Sequence, residues 1–229
     1  MARPARPVLN RQRIIEAAIA IIDREGLDAL STRRLARELR VKAPSLYNHF
    51  STKEEILDAA GDAIIAGVDL SMFGRDPWPQ ALRTWAHAYR AAFAAHPNIV
   101  PFLVRGPGRR PAALRLADAV YGALTDAGFP PGLATRIGAT MRFFVAGSAL
   151  GSFALGFPDD PSLYDGRYPH LVDAYRLREH RARVDDGAFE LGLEALIRGF
   201  EALYDTVVRG GDASGTVPVS SGAPGPEGG

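Results

Sequence analysis

The sequence predicts an all-α protein in two parts, a small N-terminal three-helix unit followed by a larger helical body. Three observations predict it. Apolar residues recur at helical spacing from Ile14 to Val208, and no stretch alternates apolar with polar like a strand for more than a few residues. Two short amphipathic segments around 35–39 and 44–50 are separated by a tight break at Arg40-Val41-Lys42-Ala43. Charge is also divided. Residues 1–53 carry 11 Lys/Arg against 5 Asp/Glu, a balance of +6, whereas the remainder carry 16 against 21, a balance of −5. A basic first quarter on an acidic body suits an end that meets a polyanion. The same asymmetry also arises by chance in surface charge.

Residues 1–9, with Arg3, Arg6, Pro4 and Pro7, read as a flexible basic arm. Asn10 is a side-chain cap for a helix reaching about Glu25, with Ile14, Ile15, Ala18, Ile19 and Ile22 as its apolar stripe and Gly26 as its stop. Ser31 or Thr32 caps a second, short helix whose Leu35, Ala36 and Leu39 face inward. Pro44 suits the first turn of a third helix holding Ser45, Leu46, Tyr47 and Phe50. Ser51 or Thr52 caps a fourth, to about Leu70, with Glu54 and Glu55 placed well for the helix dipole. After a break at 74–77, helices are expected at about 78–95, 98–104, 111–127, 131–157, 171–182 and 186–209. A long mobile loop is expected at 158–170. The Gly-, Ser- and Pro-rich residues 210–229 hold almost no large apolar group, so they read as a disordered tail. The expected division is therefore 1–53, 54–209 and the tail.

The pair of short helices reads as a helix-turn-helix. Leu35, Leu39, Val41 and Leu46 supply its buried contacts, and the small Ala36 lets the helices approach. The second helix then presents Ser45, Tyr47, Asn48 and His49, short or flat polar groups suited to base edges and phosphates. Arg33, Arg34, Arg37, Lys42 and Lys53 surround them, and cations on the flanks supply phosphate affinity. A plain helical hairpin with a solvated basic face gives a similar pattern, but leaves the exposed Tyr47 without a partner.

The run LNRQRIIEAAIAIIDREGLDALSTRRLARELRVKAPSLYNHFSTKEEILDA resembles the N-terminal domain of the TetR (tetracycline repressor) family, most specifically in the Leu-Tyr-x-His-Phe-x-x-Lys pattern at 46–53. FELGLEALIRGFEALY at 189–204 resembles the last helix of the tetracycline repressor subgroup. The resemblance implies that Thr32, Arg33, Ala43, Pro44, Ser45, Tyr47, Asn48, His49 and Lys53 contact double-stranded operator DNA. It also implies a homodimer and an inducer pocket inside the body. One departure stands out: the turn usually has Gly where this chain has Arg40, a poor fit if the backbone there needs positive φ.

In the body, Phe189, Leu193, Leu196, Phe200, Leu203 and Val207 repeat with 4-3-4-3-4 spacing. They read as a seam for a partner helix, with Ile197, Tyr204 and Val208 turned to the chain's own core. Gly147, Ser148, Gly151 and Ser152 form a small-residue surface. Spacing alone allows both helices to be buried within one chain; the resemblance favours a four-helix dimer interface, with Gly147, Gly151, Phe189, Leu193, Leu196 and Phe200 in it. Trp85, Tyr89 and Phe93 line one helix, and Phe102, Tyr121, Met141, Phe143, Phe144 and Phe153 come from others. Most such stripes are ordinary core. The pocket that the resemblance implies draws on Asp69, Trp85, Tyr89, Phe102, Arg105, Met141 and Phe144, with His87, Arg142, Tyr164 and His170 as further polar candidates.

The family's namesake binds its drug as a magnesium chelate. Gly147 and Leu155 stand where that repressor has a His and a Glu near the metal, and Phe102 or Leu103 replaces its pocket-floor His. Leu and Gly cannot coordinate a hard cation. The expected inducer is metal-independent, apolar or aromatic, and partly gated by the 158–170 loop.

Other classes find little support. His49, His87, His96, His170 and His180 form no metal motif, and there is no G-x-S-x-G, P-loop or G-x-G-x-x-G. Catalysis is not expected. No apolar run suits a membrane span, the opening residues lack a secretion signal's apolar core, and cysteine is absent, so a cytoplasmic setting is expected. The expected function is a repressor released from a palindromic operator by a small-molecule inducer. The alternative is a ligand-independent or activating DNA-binding regulator with a filled core.

Overall fold

The computed structural model describes residues 9–105 and 109–209. Among these residues the regular structure is entirely helical. Residues 1–8 of the arm expected at 1–9, residues 106–108 and the tail expected at 210–229 lie outside the described residues.

Helix α1 spans Arg11–Glu25, and Asn10 caps it by accepting from the Arg13 N–H at 2.9 Å. Gly26, at φ 87°, ends it. Helix α2, Thr32–Leu39, is capped by Ser31 rather than Thr32, the Ser31 hydroxyl accepting from the Arg34 N–H at 3.1 Å. Helix α3 is one turn, Pro44–Tyr47. Helix α4, Lys53–Ala66, is capped by Thr52, whose hydroxyl accepts from the Glu55 N–H at 3.1 Å. Glu55 reaches back to the Ser51 N–H at 2.8 Å, so both ends of the 51–55 turn are held.

The body follows with α5 (Trp78–Ala95), the short α6 (Val100–Leu103), α7 (Pro111–Asp126), α8 (Pro131–Ala149) and α9 (Arg181–Tyr204). Four of these five begin with proline in the first turn, where the missing N–H costs nothing. Helix α5 packs on α8 and α9, and α7 on α4 and α8. Because α4 packs on both α1 and α7, one buried cluster runs from Ile14 to Phe200. A division at 53 falls at the start of a helix that both parts share.

Several expected boundaries move. The helix expected at 131–157 stops at Ala149, where the Leu150 N–H turns back to the Gly147 carbonyl at 3.3 Å and Gly151 follows. The helix expected at 171–182 is a run of turns with one 3-10 turn at Ala174–Arg176. Between 158 and 183 only Tyr164 and Ala174 are buried, too little apolar contact to hold a helix in place. Helix α9 begins earlier than expected, at Arg181, and α4 ends earlier, at Ala66. The loop at 158–170 contains a 3-10 turn, Pro161–Leu163, and the Tyr164 hydroxyl donates to the Pro158 carbonyl at 2.9 Å.

Candidate DNA-reading surface and ligand cavity

The α2–turn–α3 unit is closed by a few buried residues of its own and backed by α1. Leu35, Ala36 and Leu46 are buried between the helices, and Phe50 closes the end of α3. The turn needs positive φ: Arg40 sits at φ 55°, ψ 42°, and is the one non-glycine residue at positive φ among those described. The Val41 N–H donates to the Ala36 carbonyl at 2.9 Å, closing α2. The departure from glycine therefore keeps the turn's shape, at the steric cost that a Cβ meets in this region.

This scaffold leaves a continuous polar face. Tyr47 is 55% exposed. Arg33, Pro44 and Asn48 are exposed, and Thr32, Ala43, Ser45, His49 and Lys53 are half-buried at its edges. Arg11 steadies the face from behind, donating to the His49 carbonyl and lying over the Phe50 ring at 3.9 Å. Arg34 belongs to a different structure from the other cations. It is clamped between Glu25 at 2.5 Å and Glu38 at 2.7 Å, which ties α1 to α2. Hydrogen bonds to those carboxylates raise its pKa further and hold Glu25 and Glu38 below the usual carboxylate range. Arg34 is thus a structural clamp rather than a free phosphate ligand.

A cavity of about 110 Å³ lies between α4, α5, α7 and α8. Trp85 and Tyr89 of α5, stacked at 5.5 Å, form one wall, and Tyr121, Arg110 and Arg142 contribute the other polar groups. Gly138 admits Tyr121: a Cβ there would collide with the tyrosine ring. Arg110 is only 4% exposed. Its guanidinium lies 3.9 Å from Asp58 of α4 and donates to the Leu103 carbonyl at 3.4 Å. Arg142 donates to the carbonyls of Leu103 and Val104 at 3.2 and 3.4 Å. Burial lowers the Arg110 pKa from its ordinary value, against the pull of Asp58. Burial likewise raises the Tyr89 pKa, opposed by the charge and hydrogen bond of Arg142.

Of the residues expected in the pocket, Trp85 and Tyr89 line this cavity. The others do not. Asp69 is exposed and accepts from the Ser71 N–H at 2.9 Å and its hydroxyl at 2.8 Å, holding a turn. Arg105 is exposed. Phe102 is half-buried and faces the Arg110 guanidinium at 5.6 Å, while Met141 is fully buried in the core. Phe144 stacks on Phe189 at 5.3 Å. Among the polar candidates, Arg142 lines the cavity, His87 is exposed near Glu190, and Tyr164 and His170 lie in the 158–170 loop, which adds no residue to the lining. Arg110 is a lining residue that the sequence analysis missed, since its neighbours Arg109 and Pro111 give no signal for it. Only its tertiary burial marks it.

The seam expected on α9 also shifts. Phe189, Leu193 and Phe200 are buried in the chain's own core, so they are closed to a partner, and Leu196 is half-buried. The largest side chains went inward, where Phe144 and the Arg90 guanidinium cover Phe189. The open stripe is Ala188, Leu191, Ala195, Gly199 and Ala202. It continues on α8 through Phe143, 70% exposed, and Gly147, with Gly151 just beyond the helix.

Comparison with known proteins agrees with this architecture. The family described as bacterial regulatory proteins, tetR family, matches residues 14–60, and the tetracyclin repressor-like C-terminal domain matches 72–204. The chain is 34% identical over 205 residues to the tetracycline repressor protein class C of Escherichia coli, covering 85% of this chain and 92% of that one. It is 31% identical over 166 residues to an HTH-type transcriptional regulator of Saccharopolyspora erythraea, covering 72% of this chain and 70% of that one. Among solved structures it resembles ActR of Streptomyces coelicolor in complex with actinorhodin, with a TM-score of 0.70 and 29% identity over 86% of this chain and 98% of that one. The exposed α2–turn–α3 face and the matches over both parts lead to one conclusion: the chain belongs to the TetR family of bacterial DNA-binding transcriptional regulators.

Proposed function

We propose that the chain is a homodimeric repressor that reads a palindromic operator with α3 of each protomer and releases it when a small molecule fills the cavity. The observation that carries this reading is the route from cavity to DNA-reading unit along one helix. Helix α4 starts directly beyond α3, and its Ile65 lines the cavity. Asp58 reaches Arg110, and Asp62 accepts from the Ala112 N–H at 2.6 Å. An occupant that prefers one setting of α4 shifts the two DNA-reading units by its differential affinity for the two settings. A relative named as a repressor, and another crystallised with actinorhodin, support the reading. The test is a fluorescence titration of the DNA beside the gene, with and without a panel of aromatic ligands. Ligands that stabilise the protein yet leave operator affinity unchanged would overturn the release step.

Thr32, Arg33, Ala43, Pro44, Ser45, Tyr47, Asn48, His49 and Lys53 are assigned to the operator. The apolar stripe of α8 and α9 is assigned to the second protomer, since contiguous exposed apolar surface of this kind marks an interface. The protein works in the cytoplasm and as a regulator rather than a catalyst; no helix among the described residues is long and apolar enough to cross a membrane.

The cavity does not fit a metal chelate. Two guanidinium groups and no His, Asp or Glu line it. Among the described residues no group of three His, Cys, Asp or Glu is placed to hold an ion. Calorimetry with tetracycline and magnesium, repeated with excess chelator, tests this: tight binding that vanishes with the chelator contradicts it.

Cavity size favours a second reading. The 110 Å³ volume is well below the roughly 300–1,000 Å³ of typical ligand sites. In that reading the body is a filled core, and the regulator is ligand-independent or activating. A thermal-shift screen separates the two, because a filled core gives no ligand-dependent shift.

A further inference from the structure

We propose that the cavity is built for an aromatic anion whose acid group is held by Arg142, Arg110 and the indole N–H of Trp85. The inference rests on the reading of the cavity as a ligand site and adds the chemical class of the ligand.

The polar groups in the lining are Trp85, Tyr89, Tyr121, Arg110 and Arg142. Indole and guanidinium groups only donate hydrogen bonds, so three of the five offer donors alone. Trp85 is 2% exposed, and among the described residues its Nε1 has no acceptor. Both guanidinium groups converge on the Leu103 carbonyl, which brings two like charges into a lining that also holds the apolar Ile65, Leu116 and Val120. Asp58, half-exposed on α4, offsets Arg110 at 3.9 Å. Among the described residues, Arg142 has the Leu103 and Val104 carbonyls and Tyr89 for partners and pairs with no carboxylate. Two cations held side by side in a largely apolar lining repel each other, and a ligand anion would relieve that repulsion and offset the burial of Arg110. Carboxylates accept from guanidinium in a geometry that neutral acceptors do not match.

The aromatic part follows from shape. Trp85 and Tyr89 stack with 21° between their planes, which puts a rigid aromatic pair in the lining. A cavity of about 150 Å³ accepts a benzene ring, so 110 Å³ is close to one small ring. Larger ring systems need Phe143, which lies on the stripe assigned to the second protomer, to shift. An acid group that draws Arg110 from Asp58 also loosens a tie to α4, which gives the ligand a path to the DNA-reading unit. The competing account is that the two arginines only cap the C-terminal carbonyls of α6.

Calorimetry on the full-length protein with benzoate and 1-naphthoate, each against its uncharged amide, decides between them. The acids are expected to bind the wild type at least about tenfold more tightly than the amides, as a charge-assisted hydrogen bond implies. Arg142→Gln is expected to bring the acid-to-amide ratio close to one, and Arg142→Lys to keep part of it. Should Arg142→Gln fail to fold, the wild-type ratio and Arg142→Lys still decide. Equal affinity for acid and amide in the wild type overturns the anion claim and leaves the ligand site standing. Absence of binding by all four probes overturns the anion claim and counts against the ligand site too.

Discussion

The DNA-reading unit and the ligand cavity are built in opposite ways. The first is local: caps at Asn10, Ser31 and Thr52, a turn at Arg40 and a few buried leucines set it within about forty residues of sequence. The second is assembled from α4, α5, α6, α7 and α8, and no two of its polar groups are adjacent in sequence. A local unit keeps one shape while the body varies around it, whereas a cavity at the junction of several helices changes with any one of them. In the proposed regulator this division joins a fixed reader to a changeable sensor, with α4 as the shared element.

Four tests sharpen that contrast, beginning with the largest effect. Leu191→Asp places a charge on the exposed stripe of α9. If the stripe is the dimer interface, burying that unpaired charge costs about 3–5 kcal/mol of association, and analytical ultracentrifugation should find monomers. Leu193→Ala, two residues away but buried, should instead cost about 2–5 kcal/mol of folding stability and leave the dimer constant nearly unchanged. An equal effect of both on association would erase the distinction between the two faces of α9.

The second change lies in the reader. Tyr47→Ala should weaken operator binding by about 1–3 kcal/mol if the ring makes a specific contact, with thermal stability nearly unaltered because the side chain is exposed. The third is Arg40→Gly. Removing a Cβ from the left-handed region relieves about 1 kcal/mol of strain, so chemical denaturation should show a small gain in stability. A loss would mean that the arginine side chain holds the turn.

The smallest effect is on pH. In the folded chain Arg34 lowers the pKa of Glu25 and Glu38. A depressed folded pKa contributes stability above the unfolded carboxylate pKa, and that contribution is lost as pH falls through the folded value. The melting-temperature gap between wild type and Arg34→Gln should therefore narrow from neutral pH towards pH 3. Because these groups are exposed, solvent screening keeps the gap small. A gap that is constant with pH would show that Arg34 acts through packing alone.

The same contrast explains what could be read from the sequence. Helix caps, proline starts and the α2–turn–α3 unit were legible because each depends on residues within a few positions. The positive φ at Arg40 was legible as a conflict between residue type and turn geometry. Arg110 was not, since nothing near Arg109-Arg110-Pro111 marks one arginine as buried and the other as exposed. The α9 stripe misled for a related reason. Its bulkiest residues repeat at coiled-coil spacing, yet Phe189 and Leu193 are claimed by the chain's own core, and the exposed stripe is marked by small residues around Leu191. Residues 171–180 carry helical periodicity without a surface to bury it against.

The central claim is that the α2–turn–α3 face reads DNA as one half of a two-fold dimer. Fluorescence anisotropy of a palindromic duplex from beside the gene tests it most directly, comparing wild type with a Tyr47→Ala, Lys53→Ala double variant. The account predicts two chains per duplex, half-sites about one helical turn or roughly 34 Å apart, and a clear loss of affinity with a flatter salt dependence in the double variant. Unchanged operator affinity in that variant, or binding by a single chain, would contradict it.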